Sequence, residues 1–254
     1  MMTEPVHYRL ADDVAVLTLN MPERHNALVQ ALLDGIRGAL ARCREDQPAV
    51  LVLRAEGRSF SSGGDVAAFY DVQRSERVAY AERLVGALND VMLDLLRLPV
   101  PTVAEVHGMV TGGSLGLVLA CDIVVAGSRA HFAPWYTAVG FSPDGGWTVL
   151  MPERIGCGRA LDVQLTNRRI EAKEALAWGL VNYLAEDGAV TDKVDEIVGR
   201  LRAAKTGSVR NTLKLTRPDP DRVARALDAE LRHFVELIDS EEADRGMAAF
   251  LGRN

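Results

Sequence analysis

Two glycine-rich turns contain the backbone groups in this sequence that could do chemistry. Residues 60–65 read FSSGGD, and residues 108–116 read GMVTGGSLG. Glycine lets the chain turn sharply and lets another group approach its N–H closely, and the start of a helix adds unpaired N–H donors. Two such donors that converge on one point would form an oxyanion hole for a carbonyl oxygen that gains charge. Each turn taken alone is more simply explained as a tight turn after a strand.

A carboxylate lies further along the chain, in the segment SPDGGW at residues 142–147. The pattern predicts that Asp144 stands at the start of a helix that runs to about Ile155. One interpretation is an N-cap, which would stabilise that helix by about 1 kcal/mol. The other is a general base that moves a proton in a reaction. The residues themselves leave both interpretations open.

Patterns for metals and nucleotide cofactors are not found in the sequence. No G-x-G-x-x-G opens the first predicted helix, and no Gly-Lys-Ser or Gly-Lys-Thr occurs. The three cysteines, Cys43, Cys121 and Cys157, are too few and too scattered for a zinc site or a disulfide framework. The sequence therefore predicts no metal site and no cradle for a dinucleotide or a nucleoside triphosphate.

Composition narrows the class of partner. The chain has 254 residues, 48% of them hydrophobic and 25% charged, with a net charge of −6. This composition is typical of a globular protein and does not favour a nucleic-acid-binding face, whereas a few local arginines would suffice for a small polyanionic ligand. No apolar run approaches the ~20 residues of a membrane span, and the start has neither a basic nor an apolar leader. We expect a cytoplasmic protein that does not bind membranes.

The elements that must position these residues alternate between strands and helices. Buried strands are predicted at residues 14–19, 50–53, 102–106 and 123–126. Helices are predicted at residues 27–44, with Asn26 as the N-cap, and at residues 76–98. Alternation of this kind predicts an α/β core with a mostly parallel sheet.

Beyond about residue 190 the pattern becomes helical only. Helices are predicted at residues 192–205, 208–215, 219–240 and 242–251. We therefore divide the chain into a core at residues 1–190 and a helical C-terminal segment at residues 191–254. The third of these helices has a broad apolar stripe, which we expect to pack against a neighbouring subunit. The stripe comprises Val223, Ala226, Leu227, Leu231, Phe234, Val235 and Ile238.

In combination, these segments resemble the crotonase (enoyl-CoA hydratase/isomerase) superfamily. The resemblance rests on residues 20–28, 60–65, 106–116, 121–126, 169–181 and 246–251, which occur in the family's order over nearly the whole chain. It implies a spiral of β-β-α repeats, a C-terminal trimerisation segment, and a homotrimer or a dimer of trimers. It also implies an acyl-CoA ligand, with coenzyme A present as part of the substrate and no further cofactor.

The resemblance also assigns residues to the site. It implies that the N–H groups of Gly64 and Gly113 are the oxyanion donors. The positions that it implies for coenzyme A are Arg24, Ala27, Leu28, Ser62, Asp65 and Phe250, of which we interpret Asp65 as a mainly structural carboxylate. The candidate acyl pocket comprises Gly116, Trp135, Tyr136 and Phe141, and the aromatic members would suit a cyclic acyl group.

Hydratases of this family use two glutamates, which correspond here to Gly116 and Tyr136. Because neither position has a carboxylate, we do not expect ordinary hydratase activity. The segment around Asp144 instead resembles the isomerase branch of the family. A single carboxylate suffices chemically for a 1,3-proton shift. The expected role of such a reaction is in fatty acid metabolism. We therefore predict an enoyl-CoA isomerase with Asp144 as the proton shuttle. The alternatives are another Asp-dependent reaction (ring rearrangement, ring closure or dehalogenation) and acyl-CoA binding without catalysis. The family's dehalogenases pair the Asp with a histidine on the preceding helix, and residues 71–105 contain none.

Overall fold

Two β-sheets and twelve helices make up the computed structural model, in which residues 4–253 are described. The strands are β1 (Val6–Ala11), β2 (Val14–Leu19), β3 (Val50–Ala55), β4 (Thr102–Val106), β5 (Met109–Thr111), β6 (Ile123–Gly127), β7 (His131–Ala133), β8 (Ile170–Glu171) and β9 (Tyr183–Ala185). The helices are α1 (Gln30–Asp46), α2 (Val66–Asp71), α3 (Arg74–Leu96), α4 (Leu115–Leu119), α5 (Tyr136–Val139), α6 (Leu150–Ile155), α7 (Cys157–Thr166), α8 (Ala172–Trp178), α9 (Val190–Ala203), α10 (Thr206–Thr216), α11 (Pro220–Ile238) and α12 (Glu241–Phe250).

The larger sheet has six strands in the order β1-β2-β3-β4-β6-β9. The β1–β2 hairpin is antiparallel and turns at Asp12 and Asp13, both of which have a positive φ. All other pairs in this sheet are parallel, and their nearly continuous apolar runs fit strands that are covered on both faces. The four strands that the sequence predicts are confirmed.

The smaller sheet has the order β5-β7-β8. Successive strands alternate between the two sheets, since β4 and β6 belong to the larger sheet while β5 and β7 belong to the smaller one. This alternation generates the predicted spiral of β-β-α units, which is confirmed. It also brings the second glycine turn directly after β5, so that β5 fixes the start of α4. No helix within residues 4–253 is both long and apolar enough to cross a membrane.

The first helix begins later than the sequence predicts. Helix α1 starts at Gln30, and its N-cap is Val29 rather than Asn26. Asn26 instead has a positive φ and is fully buried. Its amide group accepts a hydrogen bond from Met21 N at 2.8 Å and donates one to Glu56 O at 2.9 Å. The side chain therefore fastens the loop that precedes α1, which no helix pattern can reveal.

The C-terminal helices lie against the core of their own chain. The apolar stripe of α11 packs on α3, and four of its members are buried, namely Val223, Leu227, Phe234 and Ile238. The stripe therefore does not need a second subunit to cover it, and that part of the sequence-based argument is wrong. Trimer formation itself stays a prediction.

Arg217, which follows α10, fastens this helical segment to the sheet. Its guanidinium bonds both carboxylate oxygens of Asp122, at 2.7 and 2.6 Å. It also donates to the carbonyl oxygens of Leu96, Leu98 and Val100, which end α3 and lead into β4. The Arg217 side chain is only 10% exposed, so the ion pair is screened little by water.

We predict that Arg217→Ala destabilises the protein by about 3–5 kcal/mol, because it leaves Asp122 as a buried charge without its cation. Urea unfolding measures the loss. The matched control is Arg210→Ala, since Arg210 is exposed on α10 and makes only a 3.5 Å contact with Gln47. That change should stay within about 0.5 kcal/mol of the wild type. Equal effects of the two substitutions would contradict the prediction.

Candidate active site

One cavity of about 500 Å³ is lined by both glycine turns and by the segment that contains Asp144. Nearly all residues that the sequence assigns to the site line this cavity. They are Arg24, Ala27, Leu28, Ser62, Gly64, Asp65, Gly113, Trp135, Tyr136, Phe141, Asp144 and Phe250. The structure therefore brings together groups that are more than 200 positions apart in the chain.

The two glycine turns hold each other in place. Thr111 Oγ1 donates to Ser62 O at 2.8 Å, and Thr111 N donates to Ser61 O at 3.2 Å. Within residues 4–253, neither the Gly64 N–H nor the Gly113 N–H makes a hydrogen bond to another residue. Both residues line the cavity, and two N–H groups without an acceptor among the described residues could serve as the donors of an oxyanion hole there.

Gly113 lies directly against the Asp144 carboxylate. A Cβ added to Gly113 would lie 2.8 Å from Asp144 Oδ1 and 2.9 Å from Leu88 Cδ2. Both separations are shorter than real Cβ contacts, so the position accepts only glycine while Asp144 and Leu88 stay where they are. The close approach places the Asp144 carboxylate beside one of the two residues whose N–H groups lack an acceptor among the described residues.

Asp144 does not cap a helix. Helix α6 begins at Leu150, and its N-cap is Val149. Asp144 is instead followed by Gly145 and Gly146, both with a positive φ, which turn the chain before the helix starts. The N-cap interpretation is therefore wrong, because left-handed glycines stand where the first helical turn would be.

The Tyr136 hydroxyl is the hydrogen-bond partner of Asp144. It donates to Asp144 Oδ1 at 2.5 Å, and Asp144 O lies 3.0 Å from the same hydroxyl. Burial raises the pKa of Asp144 to about 6, although the Tyr136 hydrogen bond acts to lower it. Burial and the Asp144 charge raise the pKa of Tyr136 well above its ordinary value. At neutral pH the pair therefore consists of a carboxylate and a phenol that donates to it.

Gly116 does not line the cavity, unlike the other members of the predicted pocket. A Cβ added there would lie 2.5 Å from Met92 Sδ and 2.8 Å from Gly145 O. The assignment of Gly116 to the pocket is therefore wrong, because Met92 of α3 fills the space beside it. The methionine lies within a helix pattern, and nothing in the sequence distinguishes it from ordinary core.

The mouth of the cavity carries the charged groups. Asp65 pairs with Arg24, and its other oxygen accepts a hydrogen bond from Ala68 N at 3.1 Å, so that it caps α2. The Phe250 ring meets the Trp135 ring edge-to-face, with 6.1 Å between the ring centres. Trp135 has a φ of +63°, which is unusual for a bulky side chain.

The opposite end of the cavity is apolar and aromatic. Phe69, Phe141 and Phe234 pack on one another with ring centres 5.2–5.7 Å apart, beside Leu84 and Val85. Phe141 is the only one of these rings that the sequence assigns to the site. Phe234 belongs to the stripe that the sequence ascribes to a subunit interface, and Phe69 lies in a helix too short to have a clear pattern. Within residues 4–253 no cluster of three potential metal ligands is found.

The chain belongs to the enoyl-CoA hydratase/isomerase family, whose model matches residues 9–254. It is 33% identical over 207 residues to 4-chlorobenzoyl coenzyme A dehalogenase-2 of an Arthrobacter species, with 80% of this chain and 75% of that protein covered. It is 28% identical over 204 residues to the trans-2-decenoyl-[acyl-carrier-protein] isomerase of Streptococcus mutans, with 80% and 78% covered. An enoyl-CoA hydratase structure from Bacillus halodurans superposes with a TM-score of 0.91, at 24% identity and with 96% and 99% of the chains covered.

Burial of Asp144 generates a prediction about stability. Because its pKa is about 6 in the fold and about 3.9 when exposed, the folded state binds more protons between these values. Stability contributed by the protonated form is therefore lost as the pH rises through about 6. Asp144→Asn removes this penalty, and we expect a gain of up to about 3 kcal/mol above pH 7 and a small gain near pH 4.5. Thermal unfolding at the two pH values measures it, and a variant less stable at pH 8 than the wild type would contradict it.

Proposed function

We propose that this member of the enoyl-CoA hydratase/isomerase family shifts the double bond of an enoyl-CoA thioester, with Asp144 as the proton shuttle. The observation that carries the proposal is the carboxylate of Asp144, buried in the cavity beside Gly113, whose N–H has no acceptor among residues 4–253. Asp65 is the other carboxylate among the described lining residues, and it is occupied by Arg24 and by the start of α2.

The proposed reaction begins with the thioester carbonyl oxygen on the N–H groups of Gly64 and Gly113. Asp144 takes a proton from C2 of a 3-enoyl thioester, and the electron pair of the broken C–H bond moves into a dienolate. The two N–H groups stabilise the negative oxygen of that dienolate. Asp144 then returns the proton at C4, and the double bond ends between C2 and C3. No water and no second acid are consumed, so one carboxylate is enough.

Hydration would require more than the cavity provides. It needs a water molecule that is held and activated by general acid and base groups. Of the two positions that would supply them, Gly116 is covered by Met92, and Tyr136 offers a phenol whose pKa is raised well above its ordinary value. Tyr136 is instead suited to orient Asp144. The enoyl-ACP isomerase among the relatives is consistent with a double-bond shift in this family.

The dehalogenase relative and the aromatic end of the cavity favour one alternative. In that reaction Asp144 would attack an aryl carbon as a nucleophile and displace halide. A histidine base on the preceding helix would be expected, and α3 contains none; His25, which lines the cavity, contacts Arg58 and Ser59 instead. Halide release from a 4-chlorobenzoyl thioester would establish the alternative.

The remaining assignments follow from the same proposal. Arg24, with the backbone of Ala27 and Leu28, would receive the phosphates and pantetheine of coenzyme A at the mouth. Ser62 and Phe250 would contact its adenine. The rings of Phe69, Phe141 and Phe234 form an apolar surface for the acyl group. We also propose a homotrimer or a dimer of trimers and a cytoplasmic location.

The test is Asp144→Asn assayed with 3-hexenoyl-CoA, in which the conjugated 2-enoyl product is followed by its absorbance. We expect isomerisation to fall by at least about 10²-fold, because the substitution removes the base and keeps the shape. Binding of a saturated acyl-CoA should persist. In heavy water, the wild type but not the variant should exchange the C2 protons of that saturated ligand. Full activity of Asp144→Asn would overturn the proposed mechanism.

A second prediction concerns Tyr136, whose hydrogen bond lowers the pKa of Asp144. In Tyr136→Phe this bond is lost while the ring can still pack edge-to-face on Trp147, as it does at 6.1 Å in the wild type. The pKa of Asp144 should therefore rise above about 6. Since only the carboxylate accepts a proton, the acidic limb of the kcat/KM profile should move to higher pH. An unchanged acidic limb would show that the Tyr136 hydroxyl does not act on the base.

A further inference from the structure

Glu230 is a buried carboxylate that the proposed reaction does not use. It lies on α11, is only 4% exposed, and does not line the cavity. No arginine, lysine or histidine of residues 4–253 pairs with it. Burial of a carboxylate without a cation is costly, and it raises the pKa of Glu230 to about 7. A carboxylate buried at this cost is expected to have a structural or functional role.

All three hydrogen bonds of Glu230 go to the turn that follows Asp144. Gly146 N donates to Oε2 at 2.9 Å. Thr148 N and Thr148 Oγ1 donate to Oε1 at 2.9 and 2.5 Å. Both carboxylate oxygens of Glu230 thus accept hydrogen bonds from donors that lie close together in one five-residue segment, residues 144–148.

This turn is only partly bonded within itself. Gly145 and Gly146 have φ values of +62° and +77°. Trp147 N lies 3.4 Å from Asp144 O, and Gly146 O accepts hydrogen bonds from the helix that follows, including one from Leu150 N at 2.8 Å. Within the described residues, the N–H groups of Gly146 and Thr148 have Glu230 as their only acceptor. Without that carboxylate, the buried N–H of Gly146 would lose its partner, and the N–H of Thr148, an exposed residue, would have to bond water instead.

The opposite side of the turn is held by the oxyanion segment. Trp147 Nε1 donates to Gly112 O at 2.9 Å. Gly145 packs so closely that an added Cβ would lie 2.7 Å from Gly113 Cα. The turn is therefore clamped between the Gly112–Gly113 backbone and the Glu230 carboxylate.

Helix α11 gives Glu230 a rigid base. Leu227 and Phe234, one turn before and after it, are buried between α11 and the core. Asn89 Nδ2 of α3 also donates to Leu227 O at 3.3 Å. The position of Glu230 is therefore set by packing on α3, the same helix whose Leu88 and Met92 lie beside Gly113 and Gly116.

We propose that Glu230 is a positioning residue that fixes Asp144 relative to the N–H of Gly113 by holding the turn at residues 146–148. The role rests on the proposed function, because it acts only through the Asp144 carboxylate. It also assigns the C-terminal helices a part in catalysis within their own chain. A misplacement of a reacting group by about 1 Å can cost about 10²-fold in rate, so loss of the clamp should be visible in kcat.

The first test is Glu230→Gln, assayed with 3-hexenoyl-CoA. Glutamine keeps the shape, but its NH₂ group must face either Gly146 N–H or the two Thr148 donors, and a donor cannot accept from a donor. We expect kcat to fall about 10- to 100-fold while KM and the affinity for saturated acyl-CoA stay within about threefold. Glu236→Gln is the matched control, since Glu236 is exposed on the same helix, and it should behave as the wild type.

A double-mutant cycle separates positioning from a structural role. If Glu230 acts through Asp144, Glu230→Gln should not lower the residual rate of Asp144→Asn any further. If Glu230 only stabilises the fold, the loss should be the same in both backgrounds. That result would overturn the proposal, as would wild-type kcat in folded Glu230→Gln.

Thr148→Val keeps the test decisive if Glu230→Gln does not fold. It removes one of the three donors and leaves the carboxylate, and it should lower kcat about 3- to 10-fold at unchanged KM. Wild-type kcat in this variant would overturn the positioning role. An active Asp144→Asn enzyme would be a different failure: it would overturn the proposed function, and the role of Glu230 with it.

Discussion

The close approach of the Asp144 carboxylate to Gly113 is the constraint on which the rest of the site depends. The carboxylate can lie this close to residue 113 only because that residue has no side chain. The approach also requires the chain after Asp144 to turn away at once, which the left-handed Gly145 and Gly146 provide. Gly113 and the pair Gly145–Gly146 therefore depend on each other, because the two segments can pack this closely only if both have glycine at the contact.

That closeness has an energetic cost which the surroundings must offset. Asp144 and Glu230 are both buried, and burial raises the pKa of each well above its ordinary value. Among residues 4–253 neither has a cation as a partner, so only neutral donors stabilise the two carboxylates. Asp144 has a phenol, and Glu230 has backbone N–H groups together with a hydroxyl. A cation beside Asp144 would stabilise it more, but it would also lower its pKa and weaken it as a base. The absence of an ion pair at this carboxylate, among the residues that the structure describes, is thus consistent with proton transfer near neutral pH.

The sequence predicts the scaffold better than the interior of the site. Strands and glycine turns are local patterns that the sequence reveals directly. The spiral and the pairing of Gly64 with Gly113 are implied only by the resemblance to the family, and the structure has the spiral and places both glycines on one cavity. The pattern misplaces Asp144 at a helix start because a Pro-Asp-Gly-Gly segment looks the same whether the helix follows at once or, as here, after a left-handed turn. It does not reveal the roles of Phe234 and Glu230, because on an amphipathic helix the buried partner can equally be a second subunit or the same chain.

Met92 shows why a departure from a family pattern need not be interpreted as simple loss. Residue 116 has glycine where a hydratase has glutamate, yet no empty space remains, since Met92 Sδ and Gly145 O lie where a side chain would begin. Restoring glutamate at position 116 alone would therefore overpack this interior, displacing Met92 and the turn that follows Asp144. Met92 and the Asp-Gly-Gly turn occupy the space in which a side chain at position 116 would lie, and the same turn carries the Asp144 carboxylate. Residues 92, 116, 144 and 145 therefore pack as one unit. Whether the site can hold a second carboxylate at position 116 depends on the packing of this core as well as on which residue stands there.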